Sequence, residues 1–332
     1  MKQKIFLSRK NLDIFNRIVL IDGFSGTGKS LLGSILSHLP KSEQWQIDYF
    51  YEQLAVLDYM HNLPFHSLKA LCDMKSNETI YNLFIGRNVN FRATDDASPV
   101  NNGLKKKYQD RLKKEEKHPT LKEIIKSDPL LILNIHYLFG YSKILLDVFW
   151  NNLNLYIIMM RDPLYLIDYW YSREFSSKRG KNRLDFGMCI EVNNNLIPWY
   201  TKEYNNAFIK GNDFEKSVLT ISELYKRVFK MFNILKLKEK KKIQIIFFDD
   251  FLNYPDSYMN LICKKLKCQR NDNFEINFRR ILNKSKKNNN NKKIDANYFQ
   301  KKYKNKISSN YEKIILELNA KYSEFYLQNK IV

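Results

Sequence analysis

Four short stretches of the chain are apolar at almost every position: residues 18–22, 130–136, 153–160 and 243–248. Their length fits a strand. They lack the alternation of a strand wetted on one side, so they read as strands buried on both faces. Between them lie segments with helical spacing: residues 31–39 up to Pro40, 142–150, 164–174, 220–237, 257–266 after Pro255, and 310–328. Residues 44–60 read as a strand leading into a helix, and 104–117 and 120–126 as charged helices. Gly86, Asp95, Asp96, Pro99 and Gly103 make 82–103 a long loop. Strands alternating with helices predict an α/β fold, a parallel sheet with helices on both faces. Ligands in such folds sit at the carboxyl ends of the strands. The expected organisation is one α/β domain over 1–282 with an insertion near 82–127. A basic, Asn/Lys-rich linker over 283–308 and a terminal helix over 309–332 would follow.

The first strand runs directly into Gly23-Phe24-Ser25-Gly26-Thr27-Gly28-Lys29-Ser30, a G-x-x-x-x-G-K-S motif with a helical pattern behind it. Strand, loop and helix in this order make a phosphate-binding loop of the P-loop NTPase type. The glycines let the backbone curl so that its N–H groups converge on an anion. The helix N-terminus adds partial positive charge and Lys29 a full one. Ser30 is a candidate magnesium ligand of the Walker A kind. The backbone cradle over Gly23, Ser25, Gly26, Thr27, Gly28, Lys29 and Ser30 is therefore a candidate nucleotide site.

Composition changes this picture little. The net charge of +21 favours anionic ligands. Asn, Lys, Ile, Tyr and Phe are all abundant, which accounts for part of the basicity through codon bias. No RRM, KH, zinc-finger or helix-turn-helix signature points to nucleic acid. Cys72, Cys189, Cys263 and Cys268 are too few for a disulfide scaffold and complete no metal-ligand spacing, so reduced thiols and no metal site are expected. The first residues lack a signal peptide's apolar core and no run approaches a membrane span, so a cytoplasmic protein is expected.

Three strand ends, taken in order, resemble the P-loop sulfotransferases, which move a sulfuryl group from 3′-phosphoadenylyl sulfate to an acceptor. Phe24-Ser25-Gly26-Thr27 is similar to that family's Ser-Gly-Thr loop for the 5′-phosphosulfate. The strand ending in Arg161-Asp162-Pro163 is similar to the family's Arg-Asp-Pro end, whose arginine binds the donor's 3′-phosphate. The run through Asp249-Asp250-Phe251 to Pro255 and a helix is similar to its late strand–acidic pair–helix block. Leu133-Asn-Ile-His136 stands where many members have a strand ending in Lys-Thr-His, and the resemblance implies that His136 is the base for the acceptor. A hydroxyl nucleophile has to lose its proton as it attacks, which imidazole can accept near neutrality. The resemblance also implies a second 3′-phosphate residue eight positions after the arginine. Tyr169 stands there instead of the usual serine, and Ser172 lies three further on. Phe24 replaces the usual basic residue, and the lysine moves to Lys29.

The expected function is therefore sulfuryl transfer to a small-molecule or carbohydrate hydroxyl or amine. His136 and Lys29 would be catalytic, and Arg161, Tyr169 and Ser172 would bind the donor. Two other readings stay open. A small-molecule kinase would use ATP, with magnesium on Ser30 and Asp249 as a Walker B acid. A non-catalytic protein would bind nucleotide only. Asp249 and Asp250 also read as caps of the helix that follows.

Overall fold

The computed structural model describes residues 13–113, 118–181, 183, 185–288 and 296–331. Four long strands and one short one form a parallel sheet: β1 (Arg17–Gly23), β2 (Gln46–Ile47), β3 (Leu130–Asn134), β4 (Leu153–Met160) and β7 (Ile243–Phe247). The spatial order is β2-β3-β1-β4-β7, with β5 (Cys189–Val192) and β6 (Asn195–Pro198) in a separate hairpin. β1 is central, with Leu20 opposite Leu133 on one side and Tyr156 on the other.

The four long strands have to be apolar on both faces because both are covered. Ile18 and Leu20 enter one core with Leu131, Leu133, Tyr156 and Ile158. Val19 and Ile21 enter the other with Ile132, Leu155 and Ile157. The first core is closed by helices Tyr49–Tyr59, Phe65–Ile85, Pro163–Ser172, Asp213–Ile234 and Ser309–Asn329. Helices Lys29–Leu36, Pro255–Leu266 and Asp272–Asn288 close the second. The expected α/β class, parallel sheet and two-faced helical cover are thus present.

Several elements differ from expectation. Phe65–Ile85 is a long helix that the sequence pattern did not single out. Beyond it, helix Lys105–Arg111 is held to the segment before β2 by a buried ion cluster. Arg111 donates to both oxygens of Glu43 at 2.6 and 2.9 Å, and the Tyr108 hydroxyl donates to the same carboxylate at 2.7 Å. The polar stretch 283–308 is not simply a linker. Helix Asp272–Asn288 runs into it, and Ala296–Tyr303 is helical, with Phe299 and Tyr303 buried. Lys and Asn fill the exposed faces of these helices, while Phe274, Phe278 and Leu282 line the buried face at four-residue spacing. Residues 289–295, part of the expected linker, lie outside the described residues. The β5–β6 hairpin turns at Asn193-Asn194, both at positive φ (50° and 61°), as a tight hairpin requires.

Candidate functional site

β1 ends where the chain must reverse into a helix without a side chain in the way. Gly26 and Gly28 have φ of 99° and 88°, the left-handed region that glycine enters freely. A β-carbon on Gly28 would lie 2.2 Å from the Phe248 ring, and one on Gly26 would lie 2.8 Å from Tyr169. The loop is braced from inside. The Thr27 hydroxyl donates to Phe24 O at 2.8 Å, and Trp170 Nε1 donates to Ser25 O at 2.8 Å. Asp22, the last side chain before the loop, is buried and accepts from Gly23 N, Leu138 N, Phe139 N and the Tyr156 hydroxyl. It ties β1 to β4 and to the segment after β3. Burial raises its carboxyl above the ordinary value, and these donors act against that.

Lys29 is 6% exposed, and its ammonium donates to Gly23 O at 2.6 Å and Phe24 O at 3.2 Å. Two carbonyls are poor company for a buried cation. Burial lowers its pKa to about 8, with Asp22 and Glu52 acting the other way. An anion in the loop would meet this charge at once.

Above the loop lies a cleft of about 670 Å³. Ser25, Gly26, Gly28, Lys29 and Ser30 line it from the loop, and Arg161, Tyr165, Tyr169, Arg173 and Phe248 line it from the ends of β4 and β7 and the helix after β4. Arg161 comes from the end of β4. Its NH1 donates to Gly26 O at 3.1 Å, and its guanidinium lies over the rings of Tyr165 and Phe248, at 3.5 and 4.3 Å from their centroids. Asp162 caps the next helix by accepting from Tyr165 N at 3.0 Å, with Pro163 at the first helical position. Arginines on aromatic faces suit a ligand that is planar at one end and anionic at the other.

His136 follows β3. Its Nδ1 lies 2.7 Å from Glu52 Oε1. An ionised carboxylate only accepts, so Nδ1 carries a proton, and in the neutral ring Nε2 is the atom with the lone pair. Tyr137, next in sequence, has φ of 46°, a strained conformation for a bulky residue that turns the chain directly after the histidine. His136 and Ser25 line the nucleotide-side cleft and also a second cavity of about 110 Å³. This smaller cavity is walled by Tyr49, Val56, Tyr137, Phe186, Met188 and Trp199, with Glu52, Gln53 and Arg179 as its polar members. Arg179 is held by Asp185 at 2.7 Å and by the Tyr137 hydroxyl.

Of the residues singled out from sequence, Ser25, Gly26, Gly28, Lys29, Ser30, His136, Arg161 and Tyr169 meet at one cleft. Gly23 and Thr27 shape the loop from behind. Ser172 is exposed and is not part of the lining. Asp249 and Asp250 lie in the first turn of helix Phe248–Asn253 without capping it, because Phe247 occupies the cap position. Asp249 Oδ1 stands 3.9 Å from Arg161 Nε, and Asp250 accepts from the Tyr326 hydroxyl. Sequence reasoning missed Glu52, Trp170, Arg173 and the whole small cavity. Only Asp22 left a signal, as an acid at the end of an otherwise apolar strand.

No family model and no curated protein matches the chain. Among solved structures, it is similar to the sulfotransferase domain of the Synechococcus olefin synthase at 14% identity, covering 96% of this chain and 98% of that one, with a TM-score of 0.47. A sulfotransferase domain from the curacin biosynthetic pathway is similar at 13% identity over 78% of this chain and 77% of that one, TM-score 0.41. A sulfotransferase from Mycobacterium tuberculosis is similar at 10% identity over 80% of this chain and 71% of that one, TM-score 0.40. At such distances the chemistry has to be read from the side chains. No helix among the described residues is long and apolar enough to cross a membrane.

Proposed function

We propose that the chain transfers a sulfuryl group from 3′-phosphoadenylyl sulfate to a hydroxyl or amine held in the smaller cavity. One observation carries this reading: His136, oriented by Glu52, lines both cavities beside the phosphate loop. The donor's 5′-phosphosulfate would lie on the loop N–H groups and Lys29, with its 3′-phosphate toward Arg161. The acceptor oxygen or nitrogen attacks sulfur while its proton passes to His136 Nε2. The sulfur–oxygen bond to the nucleotide breaks, and adenosine 3′,5′-bisphosphate leaves. Lys29 and the loop N–H groups face the oxygen on which negative charge grows, so fixed donors supply the stabilisation.

A kinase would use the same loop and would need Asp249 close to magnesium on Ser30. Asp249 is instead turned to Arg161. Ligand-induced thermal stabilisation separates the readings. Adenosine 3′,5′-bisphosphate at about a hundred times its dissociation constant should add roughly 2.7 kcal/mol, in chelator as in buffer. Stabilisation by ATP with magnesium alone, erased by chelator, would replace sulfuryl transfer with phosphoryl transfer. Binding without turnover of any acceptor would leave a nucleotide-binding protein only.

A further inference from the structure

We infer that Cys263 and Cys268 form a redox-active dithiol, in which Cys268 exchanges with a small disulfide such as oxidised glutathione and Cys263 closes the bridge. The pair packs beside Arg17, the first residue of β1, at the end of the sheet opposite the phosphate loop. The donor reading stands or falls without it.

Helix Pro255–Leu266 ends in a turn that brings the two residues together. Lys267 takes the left-handed conformation, with φ of 52°. Lys267 N donates to Lys264 O at 3.3 Å, and Cys268 N donates to Cys263 O at 3.1 Å. These two bonds mark a helix ending in which the residue after the left-handed one folds back against the residue five positions earlier. An apolar contact commonly fills that place. Here both positions are cysteine. Cys263 is a buried member of the second core, and Cys268 is half-buried against the same core. The hydrogen bond between their own backbones holds them within the separation that a disulfide needs.

Their surroundings assign the roles. Hydrogen bonding between the thiols lowers Cys268 to about 7 and raises Cys263. Burial raises both, and the Arg17 guanidinium, which donates to Leu266 O at 3.3 Å in the same turn, works against it at Cys268. Near neutrality the pair gives up one proton and keeps the other, and the sulfur left as thiolate is the accessible one. That thiolate attacks one sulfur of the small disulfide and forms a mixed disulfide. The first thiolate leaves and takes a proton from solvent. The chief cause of the Cys263 rise then disappears, because its neighbour no longer carries charge. Cys263 attacks Cys268 Sγ, its proton goes to the second departing thiolate, and the protein keeps an internal disulfide. Two electrons and two protons pass to the small disulfide, which becomes two thiols. Burial pushes Cys72 up to about 12 and raises Cys189, so these two serve as internal controls.

The test exposes the reduced full chain to oxidised glutathione at neutral pH, blocks the remaining thiols and maps the cysteines by mass spectrometry. Trypsin cuts after Lys264, Lys265 and Lys267, so a bridge shows as two peptides joined until reduction. The parent should lose two hydrogens, map to Cys263–Cys268 and return to thiols with reductant. Cys263→Ala should stop at a stable glutathione adduct on Cys268, and the pH midpoint of Cys268 alkylation should rise from about 7. Cys268→Ala should leave Cys263 a thiol. A stable adduct on Cys268 in the parent overturns the inference, as does alkylation of Cys268 no faster than that of Cys189. The parent alone decides whether the bridge forms, whatever the variants do to folding.

Discussion

The two cavities that meet at His136 are built in opposite ways. The phosphate loop is encoded by eight consecutive residues, and its shape follows from three glycines and the strand before them. The smaller cavity draws Tyr49 and Glu52 from one helix, His136 from the end of β3, Arg179 and Phe186 from a loop, and Trp199 from the turn after β6. The loop binds a group common to all nucleotides, so backbone N–H groups suffice. The smaller cavity has to fit one acceptor, so it uses side chains. Binding chemistry is local here and specificity is dispersed.

Variants on either side should therefore fail differently. The largest effect is expected at the junction. His136→Ala should lower turnover by ~10²–10⁴ while donor affinity is kept, and the acid limb of the parent's pH–rate profile should vanish. Adding Glu52→Gln to that variant should cost little more, because Glu52 acts through the histidine. If the double loss is instead the sum of the single ones, the two do not form a dyad.

A smaller effect follows from burial of the lysine. Lys29 titrates at about 8 against an ordinary 10.5, so between those values the unfolded chain holds a proton that the folded one has released. Stability in that window rises with pH, and at neutral pH the buried charge costs up to about 3 kcal/mol. Denaturant unfolding from pH 7 to 10.5 should show this rise in the parent and not in Lys29→Met. A bound phosphate acts in the opposite sense. It favours the ammonium, so nucleotide affinity should fall as pH rises through about 8. A flat affinity profile over that range would remove Lys29 from the phosphate contacts. The smallest effect is expected at the rim of the acceptor cavity. Phe186 is 63% exposed, so Phe186→Ala should change stability by less than about 0.5 kcal/mol. It should raise the acceptor's KM without touching nucleotide affinity, and a loss of nucleotide binding would show that the cavities are not separable.

This contrast also governs what the sequence could reveal. β1, β3, β4 and β7 were legible because a strand covered on both faces has no choice but to be apolar. The loop was legible because its glycines are spaced by steric need. His136 and Arg161 could be found because strand ends can be counted. Glu52 could not, since it lies 84 positions from its partner, on a helix that also carries Asp58. The hairpin escaped notice because its strands are only four residues each, its exposed positions mix Glu191 and Asn195 with Leu196, and its turn uses Asn-Asn in place of glycine. The stretch after 282 was misread because lysine and asparagine describe a solvated helix face as well as a linker.

The Ser309–Asn329 helix adds a dimension of time. Phe24, in the phosphate loop, packs edge-on to Tyr225, with centroids 4.7 Å apart, and Tyr225 packs against Tyr322 at 5.7 Å. The Tyr225 hydroxyl also holds the carbonyl of Arg161. Tyr322 leaves the ribosome about 300 residues after Phe24, which at ~5–20 residues per second is roughly 15–60 s later. Through that interval the loop stands without this backing. The loop's glycines set its turns from the start, and the contacts from Trp170, Arg161 and Tyr225 arrive later to fix them.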